Sequence, residues 1–224
     1  VEGGVSEKAF EYLLKLGEKA ASIHADAQAI DYLNKALETA QETSSLATNQ
    51  NLARIYKHRG IAWLGQDERT KARSDFDLML QNATSIKDES MIAEAHYWLG
   101  SSYETYFGEM EEAMRHLSTA VEMARKAGNK PLEARCLHAI GYALVWDLDT
   151  TDEGRMRLEE SSRLCKEVGD RITEASNLQT LGFYYNWKGE FNQAKENLKK
   201  ALALAEEVGS IPLSLFKLWI LSYA

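Results

Sequence analysis

The chain has 224 residues, with 26 basic and 34 acidic side chains and a net charge of −8. This acidic balance disfavours a sequence-independent grip on nucleic-acid phosphates, and the sequence contains neither a signal peptide nor a run of about 18 apolar residues. We therefore expect a soluble, cytoplasmic chain that binds neither nucleic acid nor membrane. Cys136 and Cys165 are expected to be small core or surface residues in a reducing cytoplasm. A disulfide or metal pair is the alternative, although no Cys-x-x-Cys spacing accompanies them.

A repeat of 40 to 43 residues dominates the sequence and is marked by five glycines in the same local context. These are Gly17, Gly60, Gly100, Gly141 and Gly182. A fixed period of this length indicates a stack of similar supersecondary units. Small and large apolar residues recur around each glycine at helical offsets, so each block is predicted to contain two amphipathic helices.

Helix-ending signals divide the sequence, in chain order, into a tail and a series of helix hairpins. Gly128, Gly169 and Gly209 are each followed by a polar residue, the pattern of a helix end and the next helix cap. Pro131 and Pro212 fall in the first turn of a helix, where a missing N–H costs nothing. The predicted segments are a disordered tail at 1–5, hairpins at about 6–43, 47–86, 88–128, 130–169 and 171–209, and a single helix at 211–224. Because a hairpin cannot bury its apolar face alone, we expect residues 6–224 to form one repeat domain.

Two blocks show the repeat pattern at nearly every position. They are residues 96–124, HYWLGSSYETYFGEMEEAMRHLSTAVEMA, and residues 177–205, NLQTLGFYYNWKGEFNQAKENLKKALALA. Leu-Gly, an aromatic residue three positions later, and then Ala, Leu or Phe, and Ala resemble the tetratricopeptide repeat (TPR). The resemblance covers essentially the whole chain and implies an all-α, right-handed superhelical TPR solenoid of about five antiparallel helix hairpins plus a truncated final helix. The repeats exceed the usual length of about 34 residues and are similar to those of polarity-complex and kinesin light-chain scaffolds and many bacterial signalling proteins.

Both ends of the sequence resemble cuts within a longer repeat array. Residues 12–40, YLLKLGEKAASIHADAQAIDYLNKALETA, resemble the first hairpin after the ATPase module of bacterial AAA or STAND-type regulators. At the other end, residues 210–224 align with residues 129–143 and stop inside the first helix of a sixth hairpin. That last helix is apolar, so we expect it to continue into another repeat or to self-associate with a second copy of the chain.

The resemblance implies that the first helix of each hairpin lines a concave groove, where family ligands dock as peptides or partner helices. Positions counted from the repeat glycine of each block place a set of side chains on that face. Val145 has an equivalent position in its block and is expected on the same face. The predicted partner-binding residues are Arg54, Lys57, Ile61, Tyr97, Ser101, Glu104, Arg135, His138, Tyr142, Gln179, Phe183 and Asn186. Among them, Tyr97, Tyr142 and Phe183 would form an aromatic stripe of the composition favoured at binding hot spots. The alternative is that these rings only pack between adjacent first helices.

One familiar use of the groove is disfavoured by the residues present. Family members that clamp the C-terminal carboxylate of chaperones carry Lys and Asn on the first helix of the first repeat. This chain has Leu14 and Glu18 at the matching positions. Arg54 and Lys57 could still bind an acidic segment.

No constellation of residues predicts catalysis or metal binding. The five histidines never pair at i, i+4 or form an HExxH motif, and His96 falls where the family places a large packing residue. The acidic segment 147–153 lacks the glycine and the distal glutamate of an EF-hand, so it is expected to be a turn with helix-capping acids. We therefore expect a non-enzyme without metal or cofactor.

Three functions are compatible with these features. The first is a non-catalytic protein–protein interaction scaffold that binds a peptide or helix of a partner in its concave groove. The alternative is an in-cis regulatory or sensor tail of a larger bacterial ATPase or cyclase-type signalling protein. Small-molecule binding is the least favoured, because no polar constellation converges on a pocket.

Overall fold

The structure is a computed structural model that describes residues 2–103, 109–146 and 149–209. Within these ranges all regular secondary structure is α-helical, which confirms the predicted all-α repeat fold. The helices are α1 (Glu2–Ser22), α2 (Asp26–Glu42), α3 (Asn49–Gly65), α4 (Arg69–Ser85), α5 (Glu89–Ser102), α6 (Met110–Ala127), α7 (Lys130–Val145), α8 (Thr151–Val168), α9 (Arg171–Trp187) and α10 (Phe191–Glu207). None of these described helices combines the length and the apolar character that crossing a bilayer needs. The predicted helix at 211–224 lies outside the described residues.

The first helix begins earlier than the sequence predicted. We expected residues 1–5 to be a disordered tail, but α1 starts at Glu2. Adding a residue to an existing helix costs far less than nucleating a new one, so the long α1 extends into the segment that contains two glycines.

At repeat glycines such as Gly60 and Gly182, the two helices of a hairpin approach each other closely. A Cβ at Gly60 in α3 would lie 2.5 Å from Cε1 of Phe76 in α4, and one at Gly182 in α9 would lie 2.5 Å from Cγ of Leu198 in α10. Protein interiors are too closely packed to accept such distances, so only glycine lets the large side chain fit against the first helix. Both large residues stand 16 positions after their glycine. In these two hairpins the repeat glycine therefore marks a close crossing of the helices.

Helix ends follow local turn chemistry. Gly169, after α8, takes a positive φ of 76°, and the side chain of Asp170 then accepts a hydrogen bond from the backbone N–H of Thr173 at 3.0 Å. Lys87 occupies the equivalent place after α4, immediately before the cap residue Asp88, and has a φ of 56° although it is not glycine. The same turn between successive hairpins is thus made by glycine after α8 and by lysine after α4.

The described residues fall into two compact units, divided between His116 and Leu117. In the first unit, the core forms around fully buried side chains such as Leu33 of α2 and Phe76 of α4. In the second, Leu158 of α8 packs with residues of α7 and α9. Within the units, α1 contacts α3, α3 contacts α5, and α7 contacts α9. Within each unit, the first helices of successive hairpins therefore lie side by side, while a single repeat domain over 6–224 stays a prediction.

Candidate partner-binding surface

The two basic residues predicted to line the groove in the first unit are ion-paired within the protein. Arg54 of α3 donates through Nε and Nη2 to the Glu18 carboxylate of α1, at 3.1 and 2.8 Å. Lys57 Nζ lies 2.9 Å from the Glu94 carboxylate of α5. Each pair joins neighbouring first helices, so an acidic partner segment would have to displace these carboxylates. Recognition of such a segment by Arg54 and Lys57 is therefore disfavoured.

The other predicted residues of the first unit are partly buried. Ile61 packs against the core cluster that α3, α4 and α5 share. The ring of Tyr97 packs edge-to-face on Trp98, with centroids 4.9 Å apart. Ser101 is half-buried, and Glu104 lies outside the described residues. Trp98 belongs to the same helix as Tyr97, so this contact does not join the Tyr97 ring to an adjacent first helix.

The second unit carries the remaining predicted residues. On α7 and α9 they are Arg135, His138, Tyr142, Gln179, Phe183 and Asn186. All of these are half-buried except Tyr142, which is 41% exposed. Val145, expected on the same face, is fully buried, so its placement in the groove was wrong. The cause is the crossing of α8, since a Cβ at Gly154 would lie only 2.8 Å from Cγ2 of Val145.

Four aromatic rings lie together at the C-terminal ends of α7 and α9. Tyr142, Trp146, Phe183 and Trp187 form this α7–α9 aromatic cluster. The ring centroid of Trp146 lies 6.0 Å from that of Tyr142, 5.9 Å from Phe183 and 6.3 Å from Trp187. Trp146 and Phe183 are half-buried, whereas Trp187 is 52% exposed. The cluster therefore has an inner part and a part that faces solvent.

Neither tryptophan of this cluster was predicted to bind a partner, although the sequence contains a signal for both. Trp146 and Trp187 each stand five residues after a repeat glycine, Gly141 and Gly182 respectively. A tryptophan repeated at one offset in two neighbouring blocks predicts two rings on the same face of adjacent first helices. The aromatic surface is accordingly larger in this unit than the predicted stripe.

A buried hydrogen-bond network holds His138 beside the cluster, with its ring centroid 6.3 Å from that of Tyr142. His138 Nδ1 lies 2.8 Å from Oδ1 of Asn177 in α9, and Asn177 Nδ2 donates to Ser161 Oγ in α8 at 2.8 Å. Ser161 Oγ in turn donates to the Ala134 carbonyl at 2.7 Å. Asn177 and Ser161 are fully buried, and burial lowers the pKa of His138. The imidazole is therefore neutral near pH 7.

Both cysteines are free and buried in the second unit. Asn177 Nδ2 also reaches Cys165 Sγ at 3.8 Å. Burial raises the pKa of Cys136 to about 12 and the pKa of Cys165 to about 11. The thiols stay protonated near neutral pH, so neither is an activated nucleophile. They are core residues, and no disulfide joins them.

Two histidines far apart in sequence pair in the first unit. His96 Nδ1 of α5 and His116 Nδ1 of α6 are 2.9 Å apart, and Arg115 donates to His116 Nε2 at 2.8 Å. Because the two histidines are 20 residues apart in sequence, no short sequence motif contains both of them. Burial, and then the Arg115 charge, lowers the pKa of His116 to about 4. Over the residues that the structure describes, no group of three or more His, Cys, Asp or Glu side chains could hold a metal ion.

The described part of the acidic segment 147–153 leads into the first turn of α8. Tyr184 of α9 donates its hydroxyl proton to Asp152 Oδ1 at 2.5 Å, and Arg157 pairs with Glu153 at 3.0 Å. Acidic side chains in the first turn also interact favourably with the helix dipole. Asp152 and Glu153 therefore stabilise the start of α8 and its contacts. Asp147 lies outside the described residues.

No family model and no curated protein matches the sequence. Solved structures match its fold, among them the apo form of RapI, with a TM-score of 0.66, 18% identity and coverage of 96% of this chain. The chain spans 58% of the length of RapI. BtubC (BKLC) from P. vanneervenii matches with a TM-score of 0.65 and 15% identity, covering 92% of this chain and 91% of BtubC. The nearly identical TPR-like repeats of a Podosopora anserina kinesin light chain match with a TM-score of 0.60 and 14% identity, covering 89% of this chain and 96% of those repeats. The fold is thus that of the TPR-like helical-repeat proteins.

Proposed function

We propose that this chain is a non-catalytic interaction scaffold that binds an extended peptide or a helix of a partner protein on its first helices. The observation that supports this most directly is the α7–α9 aromatic cluster, in which Tyr142 and Trp187 are 41% and 52% exposed. Tyrosine and tryptophan offer large, rigid contact areas and concentrate at protein-binding hot spots. A partner that covers these rings removes apolar surface from water, which stabilises the complex.

Packing within the chain accounts for only part of the cluster. Trp146 and Phe183 are half-buried and contact each other across α7 and α9. Tyr142 and Trp187 keep a large share of their surface in solvent, and contiguous exposed apolar surface is typical of interaction sites. The inner pair of rings therefore supports the outer pair, which is the part proposed to contact the partner.

The charges beside the cluster favour an uncharged partner segment. Lys188 follows Trp187 in sequence and lies 3.4 Å from the Asp152 carboxylate, with its ammonium 5.7 Å from the centroid of the Tyr184 ring. This cation is used within the protein, as Arg54 and Lys57 are in the first unit. The proposed ligand is accordingly dominated by apolar and neutral polar side chains.

The proposal predicts that Tyr142→Ala weakens peptide binding at least tenfold, a loss of about 1.4 kcal/mol or more. The measurement is calorimetric titration with a peptide selected on the wild-type chain from a random display library. Tyr12→Ala is the matched control, because Tyr12 is 71% exposed on α1 and is not part of the α7–α9 aromatic cluster. Neither change removes buried core packing, so both variants should melt close to the wild-type temperature.

Three results would contradict the proposal. One is a Tyr142→Ala variant that binds the selected peptide as tightly as the wild type does. Another is equal weakening by Tyr142→Ala and Tyr12→Ala, which would place the binding surface elsewhere. The third is the failure of the folded wild-type chain to select any peptide.

A further inference from the structure

Three hydrogen bonds determine which nitrogen of His138 carries the proton. Ser161 Oγ lies 2.7 Å from the Ala134 carbonyl oxygen, and a carbonyl only accepts, so the single hydroxyl proton of Ser161 points there. Ser161 Oγ must then accept from Asn177, which turns the amide nitrogen of Asn177 toward Ser161 at 2.8 Å. The amide oxygen of Asn177 therefore faces His138. Because that oxygen can only accept, Nδ1 is the protonated nitrogen of His138.

The flipped orientation of the Asn177 amide is less favourable. Ser161 would have to donate to the amide oxygen, which would leave its own oxygen 2.7 Å from the Ala134 carbonyl with no proton between them. In the orientation described, the second amide hydrogen of Asn177 reaches Cys165 Sγ at 3.8 Å, so each polar atom of the buried amide has a partner. A buried polar network is stabilising only when all its members are satisfied. The network thus specifies one tautomer.

With the proton on Nδ1, Nε2 of His138 presents an unshared lone pair. His138 is half-buried, and no residue in the described ranges hydrogen-bonds to Nε2. Tyr142 lies one helical turn further along α7, with its ring centroid 6.3 Å from that of His138. A hydrogen-bond acceptor and an exposed aromatic ring are therefore adjacent on one helix.

We propose that His138 Nε2 accepts a hydrogen bond from an uncharged amide or hydroxyl side chain of the partner, whose neighbouring apolar residue packs on Tyr142. This inference rests on the proposed function and names the chemistry of its ligand. A carboxylate at this place has no proton to donate, and a lysine would give up the hydration of its charge to a half-buried neutral acceptor. Asn177 and Ser161 are positioning residues, because they set the tautomer without touching the partner.

The tautomer itself can be measured on the wild-type chain without any ligand. Nitrogen-15 NMR of the imidazole side chains distinguishes a protonated Nδ1 from a protonated Nε2. At neutral pH we expect His138 to carry its proton on Nδ1, with Nε2 unprotonated. A spectrum that shows His138 with a protonated Nε2 would overturn the inference whatever the chain binds.

The ligand chemistry is tested by peptide selection from a random linear library on matched chains. The wild-type chain should enrich Asn, Gln, Ser or Thr several-fold at a fixed distance from an apolar residue. His138→Leu should lose that polar preference and keep the apolar one, whereas Tyr142→Ala should lose the apolar preference. If the wild-type chain selects no peptide, the proposed function fails as well. If it selects peptides without the polar preference, only this inference fails.

Asn177→Asp gives the sharpest contrast, because it places a carboxylate against the His138 Nδ1 proton. That negative charge favours the imidazolium form, which makes Nε2 a donor. The selection should then shift from amide and hydroxyl side chains to Asp and Glu at the same position. A folded Asn177→Asp chain that keeps the wild-type preference would overturn the inference. The imidazole NMR signals of the same variant report independently whether His138 has become protonated.

Discussion

Single residues in this protein have their ionisation set by the groups packed around them, and His116 shows this most clearly. It is 6% exposed and is faced by His96 and by the Arg115 guanidinium. The ring of Tyr103 also faces it, with the two ring centroids 6.0 Å apart. Glu112 holds that guanidinium at 2.6 Å. Arginine can only donate, so His116 Nε2 accepts and its Nδ1 donates to His96. Both imidazoles are therefore neutral in this arrangement, and the hydrogen bond between them runs from His116 to His96. Protonation of His116 at Nε2 disrupts the arrangement, because that nitrogen then no longer accepts from Arg115.

Stability should accordingly fall as the pH falls through the range that the His116 pKa defines. The folded pKa of about 4 lies below the ordinary value of 6.5, so the unfolded chain takes up the proton first. The stabilisation is complete above about pH 6.5 and is lost progressively toward about pH 4, roughly 2 kcal/mol of it by about pH 5. Urea unfolding of the wild type and His116→Leu at about pH 7 and about pH 5 measures this. His24→Asn, at an exposed histidine, is the control, and equal pH dependence in wild type and His116→Leu would refute the account.

At the scale of elements, the turns between hairpins decide where one helix ends and the next begins. Gly128 and Gly169 make these turns with φ angles of 66° and 76°, and Lys87 makes the corresponding turn with a φ of 56°. A side chain with a Cβ is strained in this conformation by roughly 1–2 kcal/mol, whereas glycine is not. Compared with glycine, lysine at this turn therefore lowers the stability of the folded chain.

Lys87→Gly should raise the free energy of unfolding by about 0.5–1 kcal/mol. Glycine relieves the backbone strain, and this gain is partly offset because glycine has more conformational entropy in the unfolded chain. Gly169→Ala, which introduces a Cβ at the equivalent turn, should lower it by a similar amount. Thermal melting and urea titration of both variants against the wild type measure the two changes. A Lys87→Gly chain that melts below the wild type would show that the lysine side chain has a stabilising role that outweighs the strain.

The elements also show which features a sequence can predict. Helix type and repeat period depend on local signals, such as Gly169 followed by Asp170, and these were predicted. The burial of Val145 depends on where α8 crosses α7, at Gly154. Positions counted along one helix do not show where a neighbouring helix crosses it. The partner of His96 depends in the same way on how α5 and α6 pack.

For the whole molecule, the two units use their first helices differently. In the first unit, the predicted polar residues Arg54 and Lys57 form ion pairs between helices. In the second, α7 and α9 combine the aromatic cluster with His138, whose orientation is set by buried residues of two neighbouring helices. The sequence predicted the helices that carry this surface, and the residues it proposed there include Tyr142, Phe183 and His138 but not the two tryptophans. The buried support of His138 depends on how α7, α8 and α9 pack together. The proposed binding function is accordingly concentrated in the second unit.

The central claim, that the α7–α9 aromatic cluster contacts the partner, is tested most directly by indole N–H NMR signals. The signals are assigned by substitution and followed as a peptide selected on the wild-type chain is added. We predict that the indole signals of Trp146 and Trp187 shift on binding, while those of Trp63 in α3 and Trp98 in α5 stay in place. Shifts confined to Trp63 and Trp98, or no shift at Trp187 when the peptide is bound, would contradict the account.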